Sequence, residues 1–457
     1  MSQGYRVEDP ATGTVVEQFD TIADAQLDTV LATAAEAQTA WAAKSIEERA
    51  EVIRRVADLF AERKDNLAAI IGQEMGKRVT EGVEEAEFAG DIFRYYADNA
   101  ARFAADQPIE TDGGDAMLQR LPVGVLLGIM PWNFPYYQVA RFAAPNLMLG
   151  NGIVLKHAEI CPRSAAAIQD ILVSAGVPEG LYTTVYADHE QIAAAIADPR
   201  IAGVSLTGSE RAGAQVAAQA GRHLKKAVLE LGGSDPYVVL DTDDVAEAAQ
   251  TAWATRMYNT GQACNSNKRL IVMDDIYDDF VAELTRLAQG MTPGAWADED
   301  ESVYQPLSSR PAAEKLVEQL KRARDAGAVL QTGGELAADG AYVSPAVLTD
   351  VPVGSEIYYE ELFGPVATVF RVSSDDEALR LANDSQFGLG GAVFSTDEAR
   401  AKRVASGLEV GMANVNTPAG EGAELPFGGV KRSGYGRELG PVGMDEFVNK
   451  RLYYVEG

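Results

Sequence analysis

The sequence predicts an α/β protein built from two doubly wound units with a small protruding β element, and three observations carry that expectation. First, its 457 residues exceed what one core fills, because single cores stop growing at roughly 250–300 residues. Second, short apolar runs alternate with helical patterns in two successive series. Third, Asp112-Gly113-Gly114-Asp115, a hairpin-turn word, stands between short alternating segments outside both series.

From Thr21 to about Ala105 the chain is rich in Ala, Glu and Arg, with apolar residues at helical spacing such as Val52, Val56, Leu59 and Phe60, so several amphipathic helices are expected. Val123–Met130, Ile153–Lys156, Val204–Leu206 and Ala227–Leu229 then read as buried parallel strands, with Ser164–Ser174 and Glu210–Ala220 as helices between them. The second series has strands at Tyr237–Leu240, Leu270–Met273, Val366–Phe370, Ala392–Phe394 and Met412–Val415. Its helices fall around Ala246–Trp253, Asp279–Gln289 and Ala312–Ala326. The Gln107–Leu121 ribbon and the final strand candidate, Arg451–Val455, are expected to pair with one another.

With 39 basic and 68 acidic side chains the net charge is −29, a field that repels phosphodiester backbones and anionic membrane surfaces. Nucleic acid and membrane are therefore not expected as partners. Two cysteines, Cys161 and Cys264, make no disulfide framework, and no Cys/His spacing suggests a metal cage. The stretch Met1 to Pro10 lacks the apolar core of a signal peptide, and Val123–Met130 is about half a membrane span in length. A cytoplasmic protein without a metal is the expectation.

Four words carry chemistry. Gly261-Gln262-Ala263-Cys264 puts a thiol in a glycine-containing loop before an apolar strand; the bland alternative is a buried structural cysteine. Glu230-Leu231-Gly232-Gly233 places a carboxylate at a strand end beside a glycine pair that permits close approach. Pro131-Trp132-Asn133-Phe134-Pro135 fixes an amide between two prolines before the helix Gln138–Leu149, which suits a preorganised oxyanion donor. Thr207-Gly208-Ser209-Glu210-Arg211 joins strand to helix where a pyrophosphate can rest on backbone N–H groups, or where a helix is simply well capped. The histidines, His157, His189 and His223, form no nucleophile–base word, which weighs against a Cys-His hydrolase.

In order along the chain, Pro131–Pro135, Lys156-His157-Ala158-Glu159, Thr207–Gly213, Glu230–Gly233, Gly261–Cys264, Glu361-Leu362-Phe363-Gly364-Pro365 and Pro426–Gly434 resemble the aldehyde dehydrogenase superfamily over nearly the whole chain. The Lys-His-Ala word and the segment Phe427–Leu439 are most similar to bacterial succinate-semialdehyde dehydrogenases. The resemblance implies a Rossmann-like NAD(P)-binding domain from 1–104 and 123–232, a catalytic domain from 233–432, and a bridging β element from 105–122 and 444–457 that assembles homodimers or homotetramers. It implies an aldehyde oxidised to an acid, with succinate semialdehyde foremost. The alternatives are another short-chain aldehyde or semialdehyde, a CoA-acylating reaction, or a cysteine-dependent esterase.

Residue by residue, the resemblance gives Cys264 the nucleophile, Glu230 the water-activating base and Asn133 the oxyanion donor. Trp132, Lys156, Glu159, Gly208, Ser209, Glu361 and Phe363 would meet the cofactor. Glu159 beside a ribose favours NAD while leaving NADP open, and an inward-turned Arg211 would soften that preference. Phe134, Tyr137, Arg141, Tyr258, Glu421 and Phe427 would surround the substrate, with Arg141 either gripping a distal carboxylate or occupied by a salt bridge or helix surface. Tyr258 stands where some of these enzymes have a second arginine, and Glu421-Gly422 where they have a serine anchor; a carboxylate at Glu421 would repel an acidic substrate unless it points away.

Overall fold

The computed structural model describes residues 4–420 and 422–457, so Glu421 lies outside the described residues. Three helices, Asp24–Ala42, Ile46–Met75 and Val79–Phe103, open the main body, as the Ala/Glu/Arg-rich segment predicts. The second begins at a reciprocal cap, in which Ser45 accepts from the Glu48 N–H and Glu48 accepts from the Ser45 N–H. Gly76, in the left-handed region at φ 80°, ends it.

The first series of strands forms a six-stranded sheet in the order Gly434–Tyr435, Lys226–Glu230, Ile201–Thr207, Val125–Met130, Gly152–His157 and Tyr182–Thr184. All pairings are parallel except that of Gly434–Tyr435, which returns from late in the chain to run antiparallel to Lys226–Glu230. The side chains alternate between two cores. Val125 and Leu127 pack with Leu27, Leu31 and Val204 on one face, whereas Leu126 packs with the long helices on the other.

The second sheet has seven strands in the order Val329–Thr332, Ala346–Thr349, Val366–Val372, Arg269–Met273, Pro236–Val239, Gly390–Phe394 and Met412–Val415, antiparallel only at Val329–Thr332. It too is buried on both faces, with Val238 and Ile271 in one core and Val239 and Leu270 in the other. A separate sheet joins Val448–Glu456 to Gly114–Pro122, which pairs in turn with Gln107–Ile109. The expected pairing of the ribbon with the last strand is thus present, and Val448–Glu456 forms an edge.

Several elements depart from the sequence expectation. A hairpin of Tyr5–Asp9 and Thr14–Phe19 precedes the helices, and the strands Tyr182–Thr184, Val329–Thr332 and Ala346–Thr349 extend the two sheets beyond the expected sets. The first two of those strands are three and four residues long, too short for a two-residue period to register. No helix of the described residues is long and apolar enough to cross a membrane.

What matters for the site is how the sheets meet. Glu230 ends a strand of the first sheet, and Pro236 begins a strand of the second after only Leu231–Asp235. The carboxyl ends of the first sheet, at Met130, Thr207 and Glu230, therefore lie against loops entering the amino ends of the second, before Arg269 and Val366.

Candidate active site

The segment leading to Cys264 is held in a conformation its side chains would not choose alone. Asn259, Thr260 and Gly261 are successively left-handed, at φ 51°, 53° and 73°, and the two non-glycine residues carry strain of order 1–3 kcal/mol each. Surrounding bonds fix it. The Asn259 amide donates to the Asn133 carbonyl at 2.9 Å and to the Gln262 carbonyl at 3.2 Å, and the Asn259 N–H donates to Glu81 at 3.1 Å. The fully buried Arg256 donates to the carbonyls of Gly261, Leu362, Gly364 and Val366, tying this loop to the Glu361–Phe363 segment. Gly261 is required for the approach, because a Cβ there would stand 2.2 Å from the Gly364 carbonyl oxygen.

Asn133 is buried opposite. Its Nδ2 donates to the Gln262 carbonyl at 2.9 Å and its Oδ1 accepts from Gln138 at 3.1 Å, which fixes which way the amide faces. The helix it precedes, Pro135–Leu149, is capped from outside: Glu85 Oε1 accepts from the N–H groups of Tyr136 and Tyr137 at 2.8 and 3.2 Å, and Glu85 Oε2 pairs with buried Lys77. Lys77 lies 3.7 Å from the centre of the Phe134 ring.

Cys264 itself is partly exposed, and burial pushes its thiol up to about 11, against a downward pull from Arg141 and Lys268. The Lys268 ammonium donates to the carbonyls of Ala263 and Cys264 at 2.6 and 2.8 Å and lies 3.2 Å from Glu361. Gly233 lets the two sheets close here: a Cβ on it would be 2.4 Å from the Cys264 carbonyl oxygen. The Glu230 carboxylate is buried, has no hydrogen-bond partner among the described residues, and is held well above the usual carboxylate range by burial and then by the Glu438 charge. Both Glu230 and Arg141 are near enough to act electrostatically on Cys264.

Arg141, 1% exposed, lies between the rings of Tyr137 and Phe427, at 4.6 and 4.1 Å from their centres. Its Nε is 2.8 Å from Glu438, so an ion pair is present, and the helix-surface alternative is overturned because the side chain is buried. None of its three guanidinium nitrogens has an aligned hydrogen-bond acceptor among the described residues. Phe134 stacks with Tyr258 at 6.0 Å and meets Tyr137 edge-on, and Tyr137 meets Phe427 edge-on. Five of the six expected substrate residues thus form one aromatic-walled set around a cation; the sixth, Glu421, lies outside the described residues.

The residues expected to meet the cofactor have contacts of their own. Trp132 and Phe363 meet edge-on at 5.8 Å. Glu361 accepts from the Gly233 N–H at 3.1 Å, and a Cβ on Gly232 would come within 2.5 Å of that carboxylate. Lys156 and Glu159 form an ion pair at 2.6 Å. The exposed Ser209 caps Glu210–Arg222 by accepting from the Ala212 N–H at 3.3 Å. The Gly208 N–H is already taken by the Glu230 carbonyl at 2.9 Å, and Arg211 is exposed.

An aldehyde dehydrogenase family model matches residues 1–452. The chain belongs to the aldehyde dehydrogenase family. Among curated relatives, it is 49% identical to a succinate-semialdehyde dehydrogenase [NADP(+)] of Deinococcus radiodurans over 98% of this chain and 94% of that one. It is 41% identical to succinate-semialdehyde dehydrogenase [NADP(+)] 1 of Mycobacterium ulcerans over 98% of each. Among solved structures, succinic semialdehyde dehydrogenase from Streptococcus pyogenes in complex with NADP+ superposes with a TM-score of 0.96 at 42% identity, covering 99% of this chain and 100% of that one. An aldehyde dehydrogenase of Bacillus cereus in complex with NAD+ gives 0.95 at 31% identity, covering 99% of this chain and 93% of that one. As a member of this family, the chain is an NAD(P)-dependent aldehyde-oxidising enzyme.

Sequence reasoning passed over Arg256, Asn259, Lys268 and Glu438. Lys268 follows the thiol by one helical-turn spacing, and Glu438 lies inside the Phe427–Leu439 word, so both were visible as residues while their partners were not.

Proposed function

We propose that the enzyme oxidises succinate semialdehyde to succinate, and the observation that carries this reading is the buried Arg141 guanidinium between Tyr137 and Phe427, with unmet donors and near enough to Cys264 and Glu230 to act on both electrostatically. A neutral aldehyde gives such a cation nothing to bind, whereas a distal carboxylate accepts from it in a desolvated setting. The names of the relatives point to the same substrate.

Cys264, as thiolate, attacks the aldehyde carbon. The Asn133 amide and the Cys264 N–H receive the developing oxyanion, and the bonds that hold Asn133 and the 259–262 turn supply the preorganisation this needs. A nicotinamide dinucleotide bound beside them supplies the hydride acceptor. Glu230 then takes a proton from water so that hydroxide cleaves the Cys264 thioester, and burial, by raising the proton affinity of its partner-free carboxylate above that of an ordinary Glu, makes it a stronger base.

The residues present fit the dinucleotide: Gly232, without a Cβ, leaves room for the Glu361 carboxylate that Gly233 and Lys268 hold in place, and the capped start of Glu210–Arg222 offers helix N–H groups. Glu159 accepts from a ribose hydroxyl and Lys156 balances its charge, so NAD is the proposed cofactor and NADP the alternative, with Lys156 able to turn to a 2′-phosphate. We assign 1–104 and 123–232 to cofactor binding, 233–432 to catalysis, and 105–122 with 444–457 to homo-oligomer assembly in the cytoplasm. The exposed Leu452, Tyr453, Tyr454 and Val455 on the edge strand support that last assignment.

A panel pairing succinate semialdehyde with butanal, each with NAD and NADP, tests the reading. A kcat/KM for succinate semialdehyde no better than for butanal would overturn it.

A further inference from the structure

The Arg141–Glu438 contact is unusual in what it leaves undone. The two side chains are 0% and 6% exposed and stand 2.8 Å apart, yet the N–H groups of Arg141 and both oxygens of Glu438 lack aligned hydrogen bonds among the described residues. Both Glu230 oxygens are likewise without partners. A buried pair gains from its proximity only when the remaining donors and acceptors are also satisfied, so this arrangement is incomplete without another polar group.

The surroundings define what that group does to the charge. Facing Glu438 are Arg141 and Tyr137 from the Pro135–Leu149 helix, Glu230 from the first sheet, Tyr96 from the Val79–Phe103 helix, its neighbour Arg437, and Glu446. Arg437 is largely spoken for, since its Nη1 donates to the carbonyls of Gly429 and Gly436. Glu446 accepts from the Arg437 N–H and pairs with Lys226. Arg141 is thus the cation that favours the ionised form of Glu438, against burial. Burial lifts the Glu438 carboxyl above its usual range, and burial, then the Glu438 charge, lifts the Glu230 carboxyl.

We propose that Glu438 is the counter-ion a substrate carboxylate displaces from Arg141, and that Glu438 takes up a proton as the carboxylate arrives. This rests on the reading of Arg141 as the carboxylate clamp. The charge balance is simple: a buried set of one guanidinium and one carboxylate gains a second carboxylate, and a proton from solvent on Glu438 restores neutrality. Glu438 is then a positioning residue that ties preference for an acidic aldehyde to pH. A neutral aldehyde leaves the pair in place and moves no proton.

Titration calorimetry of the whole enzyme with γ-hydroxybutyrate, the unreactive alcohol form of the proposed substrate, tests this near neutral pH in buffers of differing ionisation heat, with the matching neutral butanediol as control. The expected result is uptake of about 0.5–1 proton per bound γ-hydroxybutyrate, about zero for the diol, and uptake reduced at least ~3-fold in Glu438→Gln. In kinetics, KM for succinate semialdehyde should climb up to about tenfold per pH unit above the Glu438 titration in the wild type and be flat in E438Q. Binding that depends on Arg141 but moves no proton in the wild type overturns the inference and leaves the clamp standing. Uptake that persists unchanged in E438Q overturns Glu438 as the acceptor. Binding unchanged in Arg141→Met overturns the clamp and the inference together.

Discussion

The residues proposed to meet the cofactor and those proposed to meet the substrate are built on opposite principles. Among the residues assigned to the cofactor, charges answer one another even where they are buried: Lys156 is paired with Glu159, Lys268 with Glu361, and Ser209 caps its own helix at the surface. On the substrate side the charges are buried and incompletely answered, with Arg141, Glu230 and Glu438 all lacking aligned partners. A dinucleotide offers many contacts and tolerates a site whose parts are already satisfied. A small aldehyde offers two polar ends, so a few unmet buried groups must do the selecting. The contrast teaches that specificity lies where polar groups are left waiting.

The sharpest way to break that contrast is at the sulfur both sides share. Cys264→Ala should lower aldehyde-dependent NAD(P)H formation by at least ~10⁴-fold while calorimetric affinity for the dinucleotide stays within about twofold; residual turnover above that would remove covalent catalysis. Next in size, Arg141→Met should cut kcat/KM for succinate semialdehyde by about 10²-fold and that for butanal by less than about 5-fold. Equal losses would show that the cation serves the fold alone.

The thiol supplies a pH test. Its titration, pushed up to about 11 by burial, leaves a small thiolate fraction at neutrality, and that fraction grows with pH. Iodoacetamide labelling of Cys264 in the cofactor-free enzyme should therefore rise about tenfold per pH unit through pH 9 without a plateau. A plateau near neutrality would mean that Arg141 and Lys268 outweigh burial. On the cofactor side effects should be smaller: Glu159→Ala should narrow the NAD-to-NADP ratio of kcat/KM by roughly 3–10-fold, and an unchanged ratio would remove Glu159 from the ribose.

The same contrast marks what the sequence makes legible. The buried strands Val125–Met130 and Arg269–Met273 announce themselves by apolar composition, and Pro131–Pro135, Glu230 and Cys264 by words that resemble a family. The hairpin strand Thr14–Phe19 escapes because its side chains are mostly exposed and carry no core pattern. Long-range partners escape for another reason. Nothing local to Arg141 announces Glu438, and nothing local to Asn133 announces the Asn259 turn, because each pairing is made only when the chain returns from the second sheet. Gly208 shows the limit of reading a word: its N–H, a candidate for phosphate, is held by the Glu230 carbonyl.

The account stands on Cys264 and Glu230 working in succession on one bound aldehyde. The most direct measurement is single-turnover kinetics with mass analysis of Glu230→Gln, mixed with succinate semialdehyde and NAD. A burst of NADH approaching one per active site, with a succinyl group retained on the Cys264 peptide, is the result expected. No burst and an unmodified Cys264 peptide, or a deacylation rate equal to that of the wild type, would contradict it.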